Sequence, residues 1–334
     1  MSNSSPHEKV IQLAANPQVV TQLPLFPQKG MRGEKGPALA ETRPLTGTSS
    51  LSAAIGAFHG YMLLRGFSEN TIKAFLGDLR LLGKHSGLNT PISQFGTRQL
   101  NDFLTWMLHY RGVPCNLKTY GRRVTTLKVF FNWLYESGVL ARDPAAPILH
   151  NRAVTPLPQI LHDDQMAQLL TMARELMRGD RPDPRPHLLV SLVLQTGIKK
   201  GECVGIALND IDRSNPKASV LYIRYKNPRM HHKERKLALS PDLMPVLDRY
   251  LAIYQPRVNL FECTARNLEY VLRDVAQLAG LKDGVSFEML RWTCAVRDFQ
   301  AGMEPTRLRK KLGLSQITWH ETFDKLKKLT EPAL

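Results

Sequence analysis

The sequence is short of several things at once. It has only 4 cysteines in 334 residues, Cys115, Cys203, Cys263 and Cys294, and no two of them form a C-x-x-C pair. A structural zinc site needs clustered thiolates or imidazoles, and a small disulfide scaffold needs an even, closely spaced cysteine framework, so neither is expected. Long apolar runs are missing too: nothing approaches the roughly 18 residues a membrane-spanning helix requires. The first residues, Met1 to Pro6, are polar and unlike a secretory leader. A membrane partner is therefore not expected, and the address reads as cytoplasmic, at the nucleoid. Acidic residues are scarce beside basic ones, 29 against 45, for a net charge of +16. A surplus of that size favours polyanionic partners, because each Lys or Arg placed on a phosphate releases counterions. Charge alone does not separate DNA from RNA or from an anionic membrane. Tyrosine stops early: the last one is Tyr270. Apolar residues, at 43 %, are plentiful enough to exclude wholesale disorder.

Organisation follows from periodicity. Residues 1–48 carry Pro, Gly and Ser, as in Pro24, Pro27, Gly30, Gly33 and Gly36, and read as a mobile N-terminal arm with one short helical stretch at Val10 to Leu13. From Ser49 a 3.6-residue period sets in. Leu51, Ile55, Phe58 and Met62 share one face, and Gly66 fits a stop. Ser68 suits the cap of a second helix with Ile72, Phe75, Leu79 and Leu82 inward. A third helix carries Leu100, Phe103, Leu104 and Met107, and a fourth, from Asn116 to Ser137, carries Val124, Leu127, Phe131 and Leu134. Residues 49–141 thus read as a helical domain. Pro144, Pro147, Pro156 and Pro158 mark 142–158 as an extended linker. Residues 159–334 read as a second, mainly helical domain. An apolar run from Leu188 to Leu194 ends at Thr196-Gly197, a β-hairpin pairs Val220–Ile223 with Lys236–Leu239, and helices follow near 241–254, 265–280, 287–301 and 304–312. The expected class is mainly α with a small β-hairpin or sheet. Two basic domains on a linker could close on a duplex as a clamp.

The order of local patterns from about residue 50 to 328 resembles the tyrosine recombinase (phage integrase) family, in its two-domain form. Ser68-Glu69-Asn70-Thr71, then Phe130-Phe131-Asn132-Trp133-Leu134 and Asp143-Pro144, are similar to the second-helix entry and the last-helix exit of that family's core-binding domain. Thr196-Gly197-Ile198-Lys199-Lys200-Gly201-Glu202 stands where the family has T-G-L-R-x-x-E, which supplies the first catalytic arginine. Glu288-Met289-Leu290-Arg291 stands for its H-x-L-R box, and Leu312-Gly313-Leu314 for L-G-H. The nucleophilic tyrosine, nine residues further on in the commonest spacing, falls at Phe323. Lys233-Glu234-Arg235 precedes the closing hairpin strand, and Lys226 is the best candidate for the family's hairpin lysine.

What the resemblance implies is DNA cleavage through a 3′-phosphotyrosyl link, with two arginines on the phosphate oxygens and histidines and a lysine moving protons. The substitutions strip that chemistry. Phe323 has no hydroxyl, and covalent catalysis requires a nucleophilic atom. Lys199 keeps charge but not the planar fork that makes two parallel bonds to phosphate. Glu288 sets a carboxylate where a phosphate would sit, and Leu314 moves no proton. Of these positions only Arg291 is kept. The catalytic remnants are therefore Lys199, Lys226, Glu288, Arg291, Leu314 and Phe323, and no cofactor or metal is expected.

Each motif also has an ordinary reading. Thr196-Gly197 serves as a helix stop, Arg291 as a salt-bridge arginine, Phe323 as a core aromatic and Glu288 as a first-turn acid favoured by the helix dipole. His231-His232 reads as a solvated pair on a basic turn. Charge runs are usually solvated faces. The resemblance lifts Lys118 and Arg122, one turn apart, and the hairpin residues Lys226, Arg229, Lys233 and Arg235 above that, as DNA contacts beside Lys199 and Arg291. Arg307, Arg309, Lys310 and Lys311 are expected at a subunit contact, and Lys325, Lys327 and Lys328 on a C-terminal helix packed on a neighbouring subunit. Three functions stay open: a pseudo-recombinase that holds duplex DNA as regulator, architectural protein or inactive subunit; an active recombinase using an unusual or partner-donated nucleophile; and a protein-interaction scaffold.

Overall fold

The computed structural model describes residues 44–149, 156–215 and 217–331. Most of the expected arm, including Val10 to Leu13, lies outside the described residues. The chain divides into two compact units, Met1–Val154 and Thr155–Leu334, taken one at a time below.

The first unit is helical. α1 (Leu51–Leu64) starts where the Ser50 hydroxyl accepts the Ala53 N–H, and it buries Leu51, Ala54, Ile55, Phe58 and Met62. The chain turns through Gly66, and Ser68 caps α2 (Glu69–Ser86) by accepting from Thr71 N–H. α3 (Thr97–Thr105) widens into a π turn over Trp106–Tyr110, a departure that the period alone does not reveal. α4 (Leu117–Glu136) starts at the Asn116 cap and buries Val124, Leu127, Phe130, Phe131 and Leu134. Rings at the centre meet edge to face, Phe58 on Phe130 at 5.2 Å and Phe130 on Phe131 at 5.1 Å between centroids. Such rings, fully buried here, each contribute about 1.5–3 kcal/mol by leaving water. The stretch expected as extended linker from 142 begins instead as part of this core. The Asp143 carboxylate accepts the Ala145 N–H at 2.8 Å, the Thr97 hydroxyl donates to the Pro144 carbonyl at 2.8 Å, and Ala145 and Ile148 are buried.

The second unit surrounds α6 (Arg185–Thr196), whose run from Leu188 to Leu194 is apolar on most sides because neighbours cover it all round. Around it stand α5 (Asp163–Glu175), α8 (Leu243–Tyr254), α9 (Ala265–Leu278) and α10 (Phe287–Gln300). The expected hairpin is the larger part of a three-stranded antiparallel sheet in the order β1 (Ile211–Asp212), β2 (Val220–Ile223), β3 (Arg235–Ala238). Its register pairs Leu221 with Leu237, and these two with Ile223 face the core. A short 3-10 helix, Pro228–Lys233, connects β2 to β3. α11 (Pro305–Lys311) and α12 (Gln316–Thr330) close a separate apolar cluster with α10, built on Ala295, Val296, Leu308, Leu312, Trp319 and Leu326. Lys325, Lys327 and Lys328 therefore ride on a helix whose apolar face packs within its own chain. Among the described residues, no helix is long and apolar enough to cross a membrane.

α6 stops at Gly197, which adopts the left-handed conformation at φ 61°. A Cβ there would come within 2.8 Å of Leu312 Cδ2 and 3.3 Å of Cys294 Sγ. Gly197→Ala combines backbone strain with a clash at a helix junction, and about 1–3 kcal/mol of destabilisation is expected. Urea denaturation of the variant checks this; an unchanged midpoint would contradict it.

Candidate DNA-backbone cavity and its surroundings

After Gly197 the chain runs extended through Lys199 into a single-turn helix, α7 (Lys200–Val204), and Glu202 in that turn reaches back to accept the Lys199 N–H at 2.8 Å. Glu202 is the electrostatic centre of the region. Arg235 from β3 grips it with both terminal nitrogens, Nη1 to Oε1 at 3.1 Å and Nη2 to Oε2 at 2.8 Å, and the Tyr225 hydroxyl donates to Oε1. Burial opposes ionisation of this carboxyl, but the bonds and charge of Arg235 and the donors Lys199 N–H and Tyr225 O–H outweigh it and hold the group down at about 2. The Tyr225 hydroxyl is pushed up to about 12 by burial and by that carboxylate. Arg235 also donates from Nε to the Lys311 carbonyl at 2.7 Å, so one guanidinium pins the sheet, α7 and the end of α11 together. Gly313 is required there: a Cβ would sit 2.5 Å from Arg235 Nη1, and the residue has φ 58°.

Arg291 lies beside this knot. Its Nη1 donates to the Gly197 carbonyl and its Nη2 to the Leu312 carbonyl at 2.6 Å. Burial pushes the guanidinium down to about 10. Lys199 donates from Nζ to the Gly313 carbonyl at 3.1 Å and stands 3.9 Å from Glu202. Burial, with the nearby cations Arg291, Lys233 and Arg235, pushes its amine down to about 8 against the pull of Glu202. A cavity of about 450 Å³ opens over these groups. Lys199, Lys200, Arg291, Glu288 and Glu269 give it charge; Phe287, Trp292, Ala295, Leu312 and Leu314 give it a mainly apolar wall; Thr322 and Ser286, whose hydroxyl caps α10 by accepting the Met289 N–H at 3.1 Å, complete the lining.

The structure thus brings together four of the six catalytic remnants, Lys199, Glu288, Arg291 and Leu314, and leaves two outside. Lys226 is exposed and does not line the cavity. Phe323 turns into the α10–α12 cluster, stacked on Trp319 at 5.4 Å, edge-on to Phe299 at 5.8 Å, with Lys327 Nζ 4.5 Å over its ring. No tyrosine or histidine is among the cavity's lining residues. Glu288 occupies the first turn of α10, so the helix-dipole reading and the cavity reading hold together. Sequence reasoning missed Lys200 and Glu269, and it set Thr322 aside as no obvious substitute for the nucleophile. Lys200 pairs with Glu269 at 2.5 Å across the rim, and its place beside Lys199 was the available signal. The Thr322 hydroxyl donates to Thr318 O at 2.9 Å within its own helix.

The expected DNA contacts divide likewise. Lys118 is exposed on α4, and Arg122, half-buried, bonds Asp78. On the hairpin connection Arg229 is exposed, and Lys233 donates to Met230 Sδ at 3.7 Å. Arg235 is the correction. Its side chain is only 8 % exposed and engaged with Glu202, so it is a structural pin and not a phosphate ligand. Of the cluster before Leu312, Lys311 Nζ bonds Asp298 at 2.6 Å and Arg309 reaches the Leu314 carbonyl at 3.3 Å. His231 meets the Tyr225 carbonyl at 3.1 Å, and no group of metal-ligating residues occurs among the described residues.

A mainly helical domain, with a small antiparallel sheet set beside a cation-lined cavity, is the class that this fold and site define. Residues 159–324 match the model of the phage integrase family, and that part of the chain belongs to the phage integrase (tyrosine recombinase) family. Among curated relatives, "Tyrosine recombinase XerC" of Mycobacterium sp. (strain KMS) is 31 % identical over 173 residues, 51 % of this chain and 58 % of its own length. The protein of the same name from Mycobacterium leprae (strain TN) is 33 % identical over 172 residues, 51 % of this chain and 57 % of its own. This chain therefore matches less than two thirds of the length of these relatives. Among solved structures, XerH site-specific recombinase bound to palindromic difH substrate shares the fold with a TM-score of 0.63 at 17 % identity, over 87 % of this chain and 95 % of that one.

Breaking a buried ion pair by removing one partner strands the other charge. Arg235→Ala is expected to destabilise the second unit by about 3–5 kcal/mol. Because the folded Glu202 carboxyl sits at about 2 against an ordinary 4.5, its contribution is fully present above pH 4.5 and lost as the pH falls toward 2. Thermal melts across that window should show the loss, and Glu202→Gln should flatten it.

Proposed function

We propose that the chain grips duplex DNA without cutting it: a tyrosine recombinase in frame and a binding protein in chemistry. One observation carries this reading. The cavity that keeps Arg291, with Lys199 at the first arginine's place, has no tyrosine on its wall, and the residue at the nucleophile's place in the sequence, Phe323, is packed against Trp319 and Phe299. The guanidinium of Arg291 is spent largely on two backbone carbonyls. No imidazole stands ready to move a proton, and Glu288 would repel a phosphate. Losing one transition-state donor costs about 10²–10³ in rate, and here several are replaced together. The net charge of +16 supports retention of binding. The exposed cations Lys118, Lys226 and Arg229, with Lys199 at the cavity, are the proposed backbone contacts. On this reading both units hold one duplex, as regulator, architectural protein or silent subunit beside active recombinases, in the nucleoid-bearing compartment.

A second reading has one observation of its own: the Thr322 hydroxyl lines the cavity, one residue from the expected nucleophile. Its proton is committed to the Thr318 carbonyl, and no imidazole or tyrosine lines the cavity beside it. Nicked suicide duplexes decide between the two. No covalent protein–DNA adduct is expected from the wild-type chain, and an adduct abolished by Thr322→Val would establish the second reading. Equilibrium binding to intact duplex should weaken on the order of 10³-fold between about 50 and 200 mM salt if six or more phosphates are contacted. Salt-independent retention of a protein partner, with no duplex binding, would favour a scaffold.

Restoring the hydroxyl alone should not restore cleavage. Phe323→Tyr is expected to yield no adduct, since the ring lies between Trp319 and Phe299 and the proton-transfer groups are still missing. Denaturing gels of the variant on the nicked duplex check this.

A further inference from the structure

We propose that Asp78 is a positioning residue for DNA binding: it presets the guanidinium of Arg122 so that its remaining fork faces a phosphate. The inference rests on the DNA-binding reading above and deepens it. Asp78 is a carboxylate on α2, only 6 % exposed in its side chain, facing α4. Arg122 donates to it from Nη1 at 2.5 Å, and the same nitrogen donates to the Ala74 carbonyl at 3.2 Å. The carboxylate also takes the Thr126 hydroxyl at 2.9 Å and Arg123 Nε at 3.4 Å, and Arg123 is itself 10 % exposed.

The two arginines have different situations although both touch one carboxylate. Arg123 is buried with its anion, and its Nη1 points at Cys115 Sγ 2.9 Å away. Arg122 keeps 39 % of its side chain exposed. Among the described residues its guanidinium hydrogen-bonds through Nη1. Nη1 lies on the Cδ side of the plane, so the opposite edge, Nε–H with Nη2–H, is the one left over. That edge is the two-donor fork that fits two oxygens of one phosphate. One carboxylate against two guanidiniums leaves the cluster with net positive charge. The fork's plane is fixed before a ligand arrives, so binding need not order a long, free side chain. Lys118, one helical turn earlier on the same face of α4 and exposed, offers a second cation.

A buried acid beside a surface arginine is often only a structural tie, and the test separates the two roles. Binding of the full chain to an intact duplex is measured against salt for wild type, Arg122→Ala, Asp78→Asn and the double variant. Arg122→Ala is expected to weaken binding about tenfold and to lower the salt slope by about one. Asp78→Asn should weaken it several-fold through Arg122 alone, so that in the double variant it adds nothing to Arg122→Ala. Additive losses, or an Asp78→Asn variant that binds as wild type, would overturn the proposal while leaving DNA binding intact. If thermal melts show Asp78→Asn unfolded, Arg122→Lys carries the test. A lysine cannot sit on Asp78 and present a fork as well, so a loss near that of Arg122→Ala is expected, and wild-type affinity would refute the assignment. Absence of duplex binding by the wild-type chain would sink this inference together with the reading beneath it.

Discussion

The second unit depends on one buried ion pair. Glu202 and Arg235 come from a one-turn helix and a short edge strand, which bury only a few apolar side chains such as Cys203 and Leu237. A carboxylate placed in that interior is costly unless every lone pair is met, and here it receives a bidentate arginine, a backbone amide and a phenol. The arginine then spends its remaining edge on the Lys311 carbonyl, at the end of α11. The position of Gly313, and with it of the Leu312-Gly313-Leu314 segment on the cavity wall, follows from the space that this guanidinium occupies.

Arg291 repeats the device with carbonyls in place of a carboxylate. The last carbonyls of a helix have no partner within it, and Gly197 and Leu312 stand at the ends of α6 and α11. A cation bonded to both satisfies them and fixes the distance between two helix ends. This gives a physical reason for an arginine here that is independent of any reaction. The frame of the site does not depend on any cleavage chemistry, because it rests on these backbone bonds.

Much of this was legible in the sequence. Ser68, Asn116 and Gly197 marked helix ends because their local chemistry permits little else. The apolar period placed the helices of both units, and Phe323 read as a core aromatic. What escaped were features set by distance along the chain. β1 is two residues long and carries no alternation. The π turn at Trp106–Tyr110 leaves the apolar period nearly intact. Residues 143–148 looked like linker because proline is common there, yet the Asp143 cap and the buried side chains of Ala145 and Ile148 dock them. Arg235 looked like part of a basic patch because nothing nearby in sequence reveals its partner, Glu202, 33 residues earlier. Lys226 was chosen by its place in the hairpin, and its exposure outside the cavity depends on how the following turn folds.

The change at position 199 shows how affinity and chemistry come apart. An arginine donates from a rigid plane and stays charged; a lysine is a point charge whose protonation depends on its surroundings. Lys199 stands among Arg291, Lys233 and Arg235 with burial against it, and its amine is held at about 8. Near neutrality it is still mostly cationic, so attraction for a phosphate survives. Its one close bond, however, goes to the Gly313 carbonyl, and a single ammonium cannot follow two oxygens as charge grows on both. Ground-state attraction needs only the charge, whereas acceleration needs interactions that strengthen in the transition state. On the proposed reading the cavity serves the first and not the second. Its wall of Trp292, Ala295, Leu312 and Leu314 is mainly apolar, with the Trp292 indole N–H as its one polar group, and on that reading the combination suits holding a backbone.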